Sequence, residues 1–165
     1  MGTDAKTPQN PAIAAVQAAA IEYSVTRHGP VASLQEAAQA RGVSTADLLK
    51  TLVVRRAADD YVLVLVPGDR RFSWTKLRAL LGTNRLSMPD AAEAQRVTGY
   101  ERGTITPFGT RTILPVIADA HIVGRQISLG GGEHGVGLNV AADDVIRLFE
   151  VTLADISDQA PGSAS

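Results

Sequence analysis

The stretch that most constrains the fold is YVLVLV at residues 61–66, six consecutive apolar or aromatic residues. A strand with one face in water would alternate apolar with polar residues, so this run indicates a strand buried on both faces in the middle of a sheet. Residues 50–57, KTLVVRRA, are also rich in β-branched residues and leucine. With a turn at residues 58–60, the two segments predict a pair of adjacent strands.

Helix signals flank this pair of strands. Asn10 followed by Pro11 predicts a capped helix that runs to about residue 20. Ser33 and Glu36 have the spacing of a capping box, and Gly42 stands where that second helix would end. Further helices are predicted from residue 44, over residues 74–82, over residues 90–99 and over residues 141–150.

Other short segments have the pattern of strands. They cover residues 21–27, 85–87, 112–119, 125–129 and 136–140. The glycine-rich residues 130–135 suit a hairpin connection between the last two, whereas residues 100–111 hold two glycines and a proline and are predicted to be irregular. Because strands and helices do not alternate strictly, we expect an α/β (α+β) fold with a mixed β-sheet surrounded by helices.

The length of the chain and the character of its ends predict one domain. A chain of 165 residues with 45% hydrophobic content suffices for a single core. The polar, small residues at 1–9 and 158–165 are predicted to be flexible ends around a domain at 10–157. The start lacks the features of a secretory signal, and no apolar run reaches the roughly 20 residues of a membrane span, so we expect a soluble, cytoplasmic protein.

Composition excludes several classes of active site. The chain has no cysteine, which rules out disulfides, thiolate catalysis and cysteine-based metal sites. Its three histidines, His28, His121 and His134, are too scattered to predict a metal site, and no cofactor is expected. The net charge of -1 argues against binding nucleic acid by bulk electrostatics.

Charge is nevertheless unevenly distributed along the chain. Residues 50–85 contain eight basic and three acidic residues, whereas residues 119–165 contain two basic and seven acidic residues. Chance clustering on a solvated surface and a local site for a polyanion explain this asymmetry equally well.

No familiar catalytic motif is present, and two loops are candidates for a site. The first, GGGEHGVG at residues 130–137, is similar to a nucleotide loop, but it links two predicted strands rather than opening a helix, so we favour the hairpin interpretation. In the second, RGTITPFG at residues 102–109, Gly103 brings its amide close to a ligand and Pro107 stiffens the far end. Lys50, taken alone, is typical of a solvated lysine at the start of a strand.

Four segments in order resemble one known family. They are LLKTLVV at 48–54, VPGDRR at 66–71, RVTGYERGTITPFG at 96–109 and GGGEHGVGLNVAADDVIRL at 130–148. Together they resemble the YbaK-type aminoacyl-tRNA deacylases, the free-standing relatives of the editing domain inserted in bacterial prolyl-tRNA synthetases. The resemblance covers about residues 23–156. It implies a mixed sheet surrounded by helices, and hydrolysis of the ester between a wrong amino acid and the tRNA 3′ end.

The resemblance also implies roles for individual residues. The lysine of the family's KTL motif is essential and lies beside the terminal adenosine, which implies that Lys50 is a catalytic residue acting as an electrostatic anchor. The glycine backbone of the family's GxxxP loop helps position the scissile carbonyl or the attacking water, which implies that catalytic role for Gly103. Substrate-binding positions are implied for Thr51, Thr104, Ile105, Thr106, Pro107, Gly130, Gly131 and His134.

The late hairpin departs from the family pattern. Many relatives have a serine, two glycines and a basic pair there, whereas this chain has Gly130 in place of the serine and Glu133 and His134 in place of the basic pair. Because this hairpin borders the amino-acid pocket in the family, the identity of the amino acid stays open.

Three functions are consistent with the sequence. The leading hypothesis is a trans-editing deacylase for tRNA-Pro carrying a small amino acid such as Cys or Ala, with the tRNA acceptor end as partner, prolyl-tRNA synthetase as a candidate second partner and no membrane. Aminoacyl esters are already activated, so positioning a water and stabilising an oxyanion are sufficient chemistry. The alternatives are a non-catalytic module of the same fold that binds aminoacyl-tRNA or a synthetase, and a hydrolase of another acyl or phosphorylated small molecule.

Overall fold

Helices and strands succeed one another irregularly in the computed structural model, which describes residues 10–160. The helices are α1 Pro11–Ala18, α2 Leu34–Arg41, α3 Trp74–Leu81, α4 Ala91–Thr98 and α5 Ala142–Leu148. The strands are β1 Tyr23–Arg27, β2 Leu49–Ala57, β3 Asp60–Pro67, β4 Arg70–Phe72, β5 Val116–Asp119, β6 Gln126–Gly130, β7 Val136–Ala141, β8 Thr152–Ala154 and β9 Ser157–Gln159. A short 3-10 helix, Ala120–Ile122, follows β5.

The strands form a mixed arrangement, as the sequence predicts. β2 and β3 pair antiparallel, whereas β3 with β5 and β5 with β8 pair parallel, giving the order β2-β3-β5-β8. β1, β7 and β6 form an antiparallel three-stranded sheet, and β4 pairs with β9. An isolated parallel bridge between Leu48 and Ser128 joins the edges of the two larger sheets. The α+β class is confirmed, with the predicted sheet divided into three pieces.

β3 is the buried central strand that its apolar run predicts. Residues 61–66 are at most 6% exposed, because hydrophobic clusters cover both faces. Leu63 belongs to the larger cluster together with Ile105, and Val64 belongs to the second cluster together with Leu77. Successive side chains of the strand therefore pack into different hydrophobic clusters on its two faces. The larger cluster also holds the loop that contains Ile105.

The two predicted N-terminal caps are confirmed. Asn10 Oδ1 accepts a hydrogen bond from the N–H of Ala12 at 2.7 Å, and Ser33 Oγ accepts one from the N–H of Glu36 at 3.1 Å. Gly42 ends α2 in a left-handed conformation with φ +71°, which glycine adopts without steric cost. These contacts satisfy backbone groups that the ends of a helix leave unpaired.

Two predicted elements are wrong. No helix begins at Ser44, because the short connection from α2 to β2 forms one turn, closed by a 3.2 Å hydrogen bond from the N–H of Leu48 to the Ser44 carbonyl. The strand predicted over residues 85–87 is reduced to a single bridge between Ser87 and Arg55, since a proline follows at position 89 and has no N–H to extend a ladder.

The last strand, β9, runs past residue 157, where the sequence predicts the domain to end. β9 continues through Gln159 and pairs with β4, because the polar residues after Ile156 find strand partners there. Residues 1–9, predicted to be flexible, lie outside the described residues, as do residues 161–165. Between residues 10 and 160, no helix is long and apolar enough to span a membrane.

Candidate active site

A cavity of about 390 Å³ lies beside β2. Its walls come from α2, β2, the residues around the start of α4, the loop after Tyr100 and the end of β6. Most lining residues are apolar, and the charged ones are Arg41, Lys50 and Arg102, with no aspartate or glutamate among them. The cavity is therefore apolar with a positive bias, which suits a ligand that carries both an apolar group and an anion.

Lys50 lies at this cavity with its ammonium group fixed. Lys50 Nζ donates a 2.9 Å hydrogen bond to the backbone carbonyl of Arg70. Desolvation by burial lowers the pKa of Lys50, and the nearby carboxylate of Asp69 partly opposes that shift. An ammonium has further N–H donors, so one hydrogen bond holds the group in place and others stay available for a ligand.

The carbonyl that holds Lys50 is itself anchored to the fold. Arg70 Nε donates a 2.7 Å hydrogen bond to Ser157 Oγ, and Ser157 Oγ donates one of 2.5 Å to Asp119 Oδ2. The side chain of Asp119 is fully buried. It also accepts from the backbone N–H of His121 at 2.9 Å. This chain of contacts ties β4 to β9 and to the end of β5, and it fixes the position of the Arg70 backbone.

The loop after Tyr100 is tightly braced. The N–H and the Oγ1 of Thr104 both donate to the carbonyl of Glu101, at 3.0 and 2.8 Å. Tyr100 donates its hydroxyl to the carbonyl of Phe108 at 2.6 Å, and burial raises the pKa of Tyr100 to about 12. Gly103, at the exposed tip, has φ +89°, a conformation that favours glycine. The loop therefore holds its backbone in one arrangement.

Several backbone N–H groups of this loop are unused in the described part of the chain, among them those of two residues that line the cavity, Gly103 and Ile105. Between residues 10 and 160, nothing accepts a hydrogen bond from either of these two N–H groups. Preorganised N–H groups of this kind are what stabilises an oxyanion during acyl transfer, so the geometry suits attack on a carbonyl.

The hairpin between β6 and β7 packs directly on this loop. The N–H of Gly132 donates to the carbonyl of Thr104 at 3.0 Å. His134 Nε2 and Glu101 Oε2 are 3.2 Å apart on the surface. A Cβ added at Gly103 would lie 3.7 Å from His134 Cε1, which is ordinary contact. The departure from the family pattern at His134 thus places an imidazole beside the loop glycine.

The end of β6 leaves no room for a side chain at Gly130. A Cβ at this position would lie 2.7 Å from the carbonyl oxygen of Ile105 and 3.2 Å from that of Thr104. Real Cβ atoms essentially never approach backbone to 2.7 Å, so a serine would displace the loop. Glycine here lets the hairpin approach the loop more closely than a serine would allow.

The outer edge of β2 is open along the cavity. At one end the N–H of Ser128 donates to the Asp47 carbonyl at 2.8 Å, and at the other Arg55 and Ser87 exchange hydrogen bonds of 2.8 and 3.1 Å. Between these contacts, in the described part of the chain, no strand pairs with β2 on that side. The free edge is therefore confined to a gap of a few residues.

The register shows which groups face that gap. The N–H of Gly68 donates to the carbonyl of Leu48. Because hydrogen-bonded residues alternate along an antiparallel pair, the even-numbered residues of β2 form the backbone hydrogen bonds to β3. The backbone groups of Thr51 and Val53 consequently point away from β3. Thr51 Oγ1 is also buried without a hydrogen-bond partner within residues 10–160. Thr51 thus presents an unpaired N–H and an unpaired carbonyl at the gap, and its hydroxyl is unpaired in the interior beside it.

The structure brings together half of the residues that the sequence singles out. Of the predicted site residues, the cavity is lined by Lys50, Thr51, Gly103, Ile105 and Gly130. The remaining predicted residues lie in the two loops but not on the cavity wall, and their substrate contacts stay predictions: Thr104, Thr106, Pro107, Gly131 and His134. Thr104 and Thr106 are buried as braces of the loop.

Two cationic lining residues were missed. Arg102 directly precedes Gly103 in the predicted loop, and this position could have predicted that Arg102 lines the site. Arg41 is the last residue of α2, and no sequence signal connects it with the other lining residues. As for a metal, no group of three or more potential ligands comes together between residues 10 and 160.

Comparison with known proteins identifies the family. The family described as an aminoacyl-tRNA editing domain matches residues 28–148. A proline–tRNA ligase of Heliobacterium modesticaldum is 33% identical over 134 residues, which cover 78% of this chain and 23% of the ligase. An Enterococcus faecalis protein named "Putative Cys-tRNA(Pro)/Cys-tRNA(Cys) deacylase EbsC" is 24% identical over 126 residues, 76% of this chain and 77% of that protein.

A solved structure supports the same fold. The crystal structure described as "a putative trans-editing enzyme for prolyl tRNA synthetase" aligns with a TM-score of 0.81 over 92% of this chain and 99% of that chain, at 23% identity. At that identity the likeness establishes the fold alone. With the match over residues 28–148, it follows that the chain belongs to the aminoacyl-tRNA editing domain family.

Proposed function

We propose that this protein is a trans-editing deacylase that hydrolyses the ester between a mischarged amino acid and the 3′ end of tRNA. One observation carries the proposal: the cavity combines a fixed ammonium at Lys50 with unused backbone donors at Gly103 and Ile105. Positive charge suits the nucleotide, and backbone donors suit the carbonyl of the ester.

The proposed reaction needs little from side chains. A water attacks the ester carbonyl, the carbon–oxygen bond to the ribose breaks, and the products are a free amino acid and the tRNA hydroxyl. The N–H groups of Gly103 and Ile105 stabilise the oxyanion of the intermediate, while Lys50 holds the terminal nucleotide. Because the ester is already activated, positioning and electrostatic stabilisation account for the acceleration.

The proposed substrate is tRNA-Pro carrying a small, uncharged amino acid such as Cys or Ala. The lining is mostly apolar and contains no acid, which suits an uncharged side chain. Similarity to proline–tRNA ligases and to a protein named as a Cys-tRNA deacylase supports the tRNA and the amino acid. Rejection of a larger amino acid by shape would follow the logic of a second sieve. By the same similarity, prolyl-tRNA synthetase is the proposed partner.

A panel of charged tRNAs tests the proposal. tRNA-Pro carrying Ala, Cys, Ser or Pro is incubated with the protein, with Lys50→Ala and with Arg147→Ala as a surface control. We expect release of Ala or Cys but not Pro, loss of release with Lys50→Ala, and no loss with Arg147→Ala. Binding of the tRNA without release of any amino acid would instead indicate the non-catalytic module. Equal turnover of free amino-acid esters would indicate a general esterase.

A further inference from the structure

Arg41 is a cation at the cavity without a carboxylate partner. Its side chain is partly buried where α2 ends against β6 and β7. Its hydrogen bonds within residues 10–160 go to neutral acceptors: His28 Nε2 at 3.4 Å, Ser128 Oγ at 3.3 Å and the Leu129 carbonyl at 3.3 Å. All three distances are long for hydrogen bonds from N–H donors. These bonds hold the guanidinium in place but offset little of the cost of burying its charge.

The guanidinium is fitted into its position. A Cβ at Gly137 would lie 2.7 Å from Arg41 Nε, so a glycine in β7 leaves the space that the group occupies. His28 Nδ1 lies 2.8 Å from the Gly29 carbonyl, which fits a tautomer with the proton on Nδ1 and with Nε2 free to accept from Arg41. The surroundings thus orient Arg41 without neutralising it.

A partly buried cation without an anion is unfavourable. Desolvation by burial lowers the pKa of Arg41. Arginine stays charged in proteins and presents a planar fork of donors that matches phosphate. Arg41 uses only Nε and Nη1 for the contacts described. The second terminal nitrogen, Nη2, is free within residues 10–160, and an anion at the cavity would complete the set.

We propose that Arg41 binds a phosphate group of the terminal nucleotide of the substrate; this inference rests on the proposed function. A phosphate is favoured over a carboxylate on the amino acid for two reasons. Every tRNA carries phosphates whatever its amino acid, and the wall also holds Lys50 and Arg102, more positive charge than a single carboxylate needs. Arg41 acts with Lys50 from a different element of the fold, so the nucleotide is held at two points.

Binding of AMP and of adenosine to the full chain tests this inference without requiring hydrolysis. The two ligands differ only in the phosphate. We expect the protein to prefer AMP, and Arg41→Gln to weaken AMP binding by about tenfold, equivalent to about 1.4 kcal/mol, while adenosine binding is unchanged. Arg147→Gln, which removes the same charge from an exposed surface pair, is the matched control and retains the preference.

Two further variants separate binding from folding. Arg41→Lys keeps the charge without the fork and is expected to retain part of the preference for AMP. Arg41→Met keeps much of the volume, and because the charge lacks a carboxylate partner, its urea midpoint is expected to equal or exceed that of the native chain. Loss of AMP binding in a variant that folds normally supports a ligand role.

Three results would overturn the inference. Arg41→Gln binds AMP like Arg147→Gln, or it weakens adenosine and AMP equally, or it slows hydrolysis only for tRNA carrying Asp or Glu, which would assign Arg41 to a carboxylate. The tests are independent of the proposed reaction. Arginine-dependent AMP binding without ester hydrolysis rejects the deacylase and keeps the site, whereas hydrolysis without a preference for AMP rejects only the site.

Discussion

The ammonium Nζ of Lys50 donates a 2.9 Å hydrogen bond to the backbone carbonyl of Arg70. A carbonyl on a paired strand is a rigid acceptor, so it fixes the charge without neutralising it. We therefore expect Lys50→Ala to lower kcat/KM for ester hydrolysis by about two to three orders of magnitude, the scale for loss of one preorganised electrostatic contact. Single-turnover deacylation measures this, with Arg147→Ala as the control for general charge. A rate for Lys50→Ala within a factor of about two of the native rate would contradict the assignment.

The depressed pKa of Lys50 predicts an alkaline limit to activity. Burial lowers this pKa below its ordinary value of 10.5, and Asp69 opposes the shift. An activity that needs the ammonium is fully present below the lowered pKa and is lost as pH rises through it. Asp69→Asn removes the opposing charge, so it should move the limit to still lower pH.

The measurement is a pH–rate profile expressed as the ratio of the enzymatic rate to the uncatalysed rate, because hydroxide also cleaves the ester. Asp60→Asn, a substitution at the first residue of β3, where the carboxylate pairs with Arg56 at the surface, controls for loss of a carboxylate. An alkaline limit that Asp69→Asn leaves in place, or moves upward, would argue against Lys50 as its source.

The left-handed conformation of Gly103 predicts a loss of activity beyond any loss of stability. An L-residue at φ +89° costs about 1 to 2 kcal/mol. The added methyl meets only His134 Cε1 at 3.7 Å, so Gly103→Ala should fold. It should lose activity by more than about tenfold, because the N–H at residue 103 shifts. Losses of this order follow the removal of one hydrogen-bond donor to an oxyanion.

Gly42→Ala is a matched control for that substitution. Gly42 has φ +71° at the end of α2, and an added Cβ there has nothing within 4 Å. Both variants should show a similar decrease in urea midpoint, but only Gly103→Ala should lose deacylation. Equal activity of the two variants would mean that the loop backbone takes no part in the reaction.

The close approach at Gly130 predicts that adding a side chain there is harmful. A Cβ at residue 130 would meet the Ile105 carbonyl at 2.7 Å, so Gly130→Ala or Gly130→Ser should destabilise the fold by about 1 to 3 kcal/mol, as overpacking does. Activity should fall as well, because the displaced group belongs to the loop. Gly29→Ala, with nothing within 4 Å of its Cβ, should be silent in both assays. A stable, fully active Gly130→Ser would show that the loop yields freely.

The buried carboxylate of Asp119 predicts a contribution to stability that disappears in acid. Burial alone would raise the pKa of Asp119, but hydrogen bonds from Ser157 and from His121 bring it below the ordinary value of 3.8. Such a contribution is present above the ordinary pKa and is lost as pH falls through the lowered one. Asp119→Asn should cost about 1 to 3 kcal/mol at pH 7.

Urea unfolding at pH 7 and below pH 3.8 measures the effect. The difference in free energy of unfolding between the native chain and Asp119→Asn should become smaller in acid. Asp60→Asn should change the free energy of unfolding little at either pH. A difference that widens in acid would reverse the sign inferred for this carboxylate. Activity at pH 7 provides a second readout, because Ser157 links Asp119 to the strand that holds Lys50.

Much of the fold could be predicted from local signals. The capping side chains of Asn10 and Ser33, and the run of apolar residues in β3, act over a few residues and are visible in the sequence. β4, β8 and β9 were missed because each is only three residues long. Their strand character comes from partners distant in sequence, which local patterns do not encode.

The candidate site was predictable only where a motif marks it. Lys50 and Gly103 lie in segments that resemble a family, whereas Arg41 lies on a helix whose sequence indicates only helix formation. Whether it reaches the cavity depends on the packing of α2 against β6, through Ser128 and Leu129. The closeness of Gly130 to Ile105 likewise arises between loops and has no local signature.

The open edge of β2 has a consequence for the behaviour of the protein at high concentration. Unpaired strand edges invite another chain to add a strand, which is a common origin of aggregation. Here the unpaired backbone of Thr51 and Val53 lies between the contacts at Asp47 and Arg55, within a cavity. A gap this short does not let a strand of another chain form a series of backbone hydrogen bonds with β2. It is long enough for hydrogen bonds to a single amino-acid residue. The recess that we propose as the substrate site is thus also expected to keep other copies of the chain out.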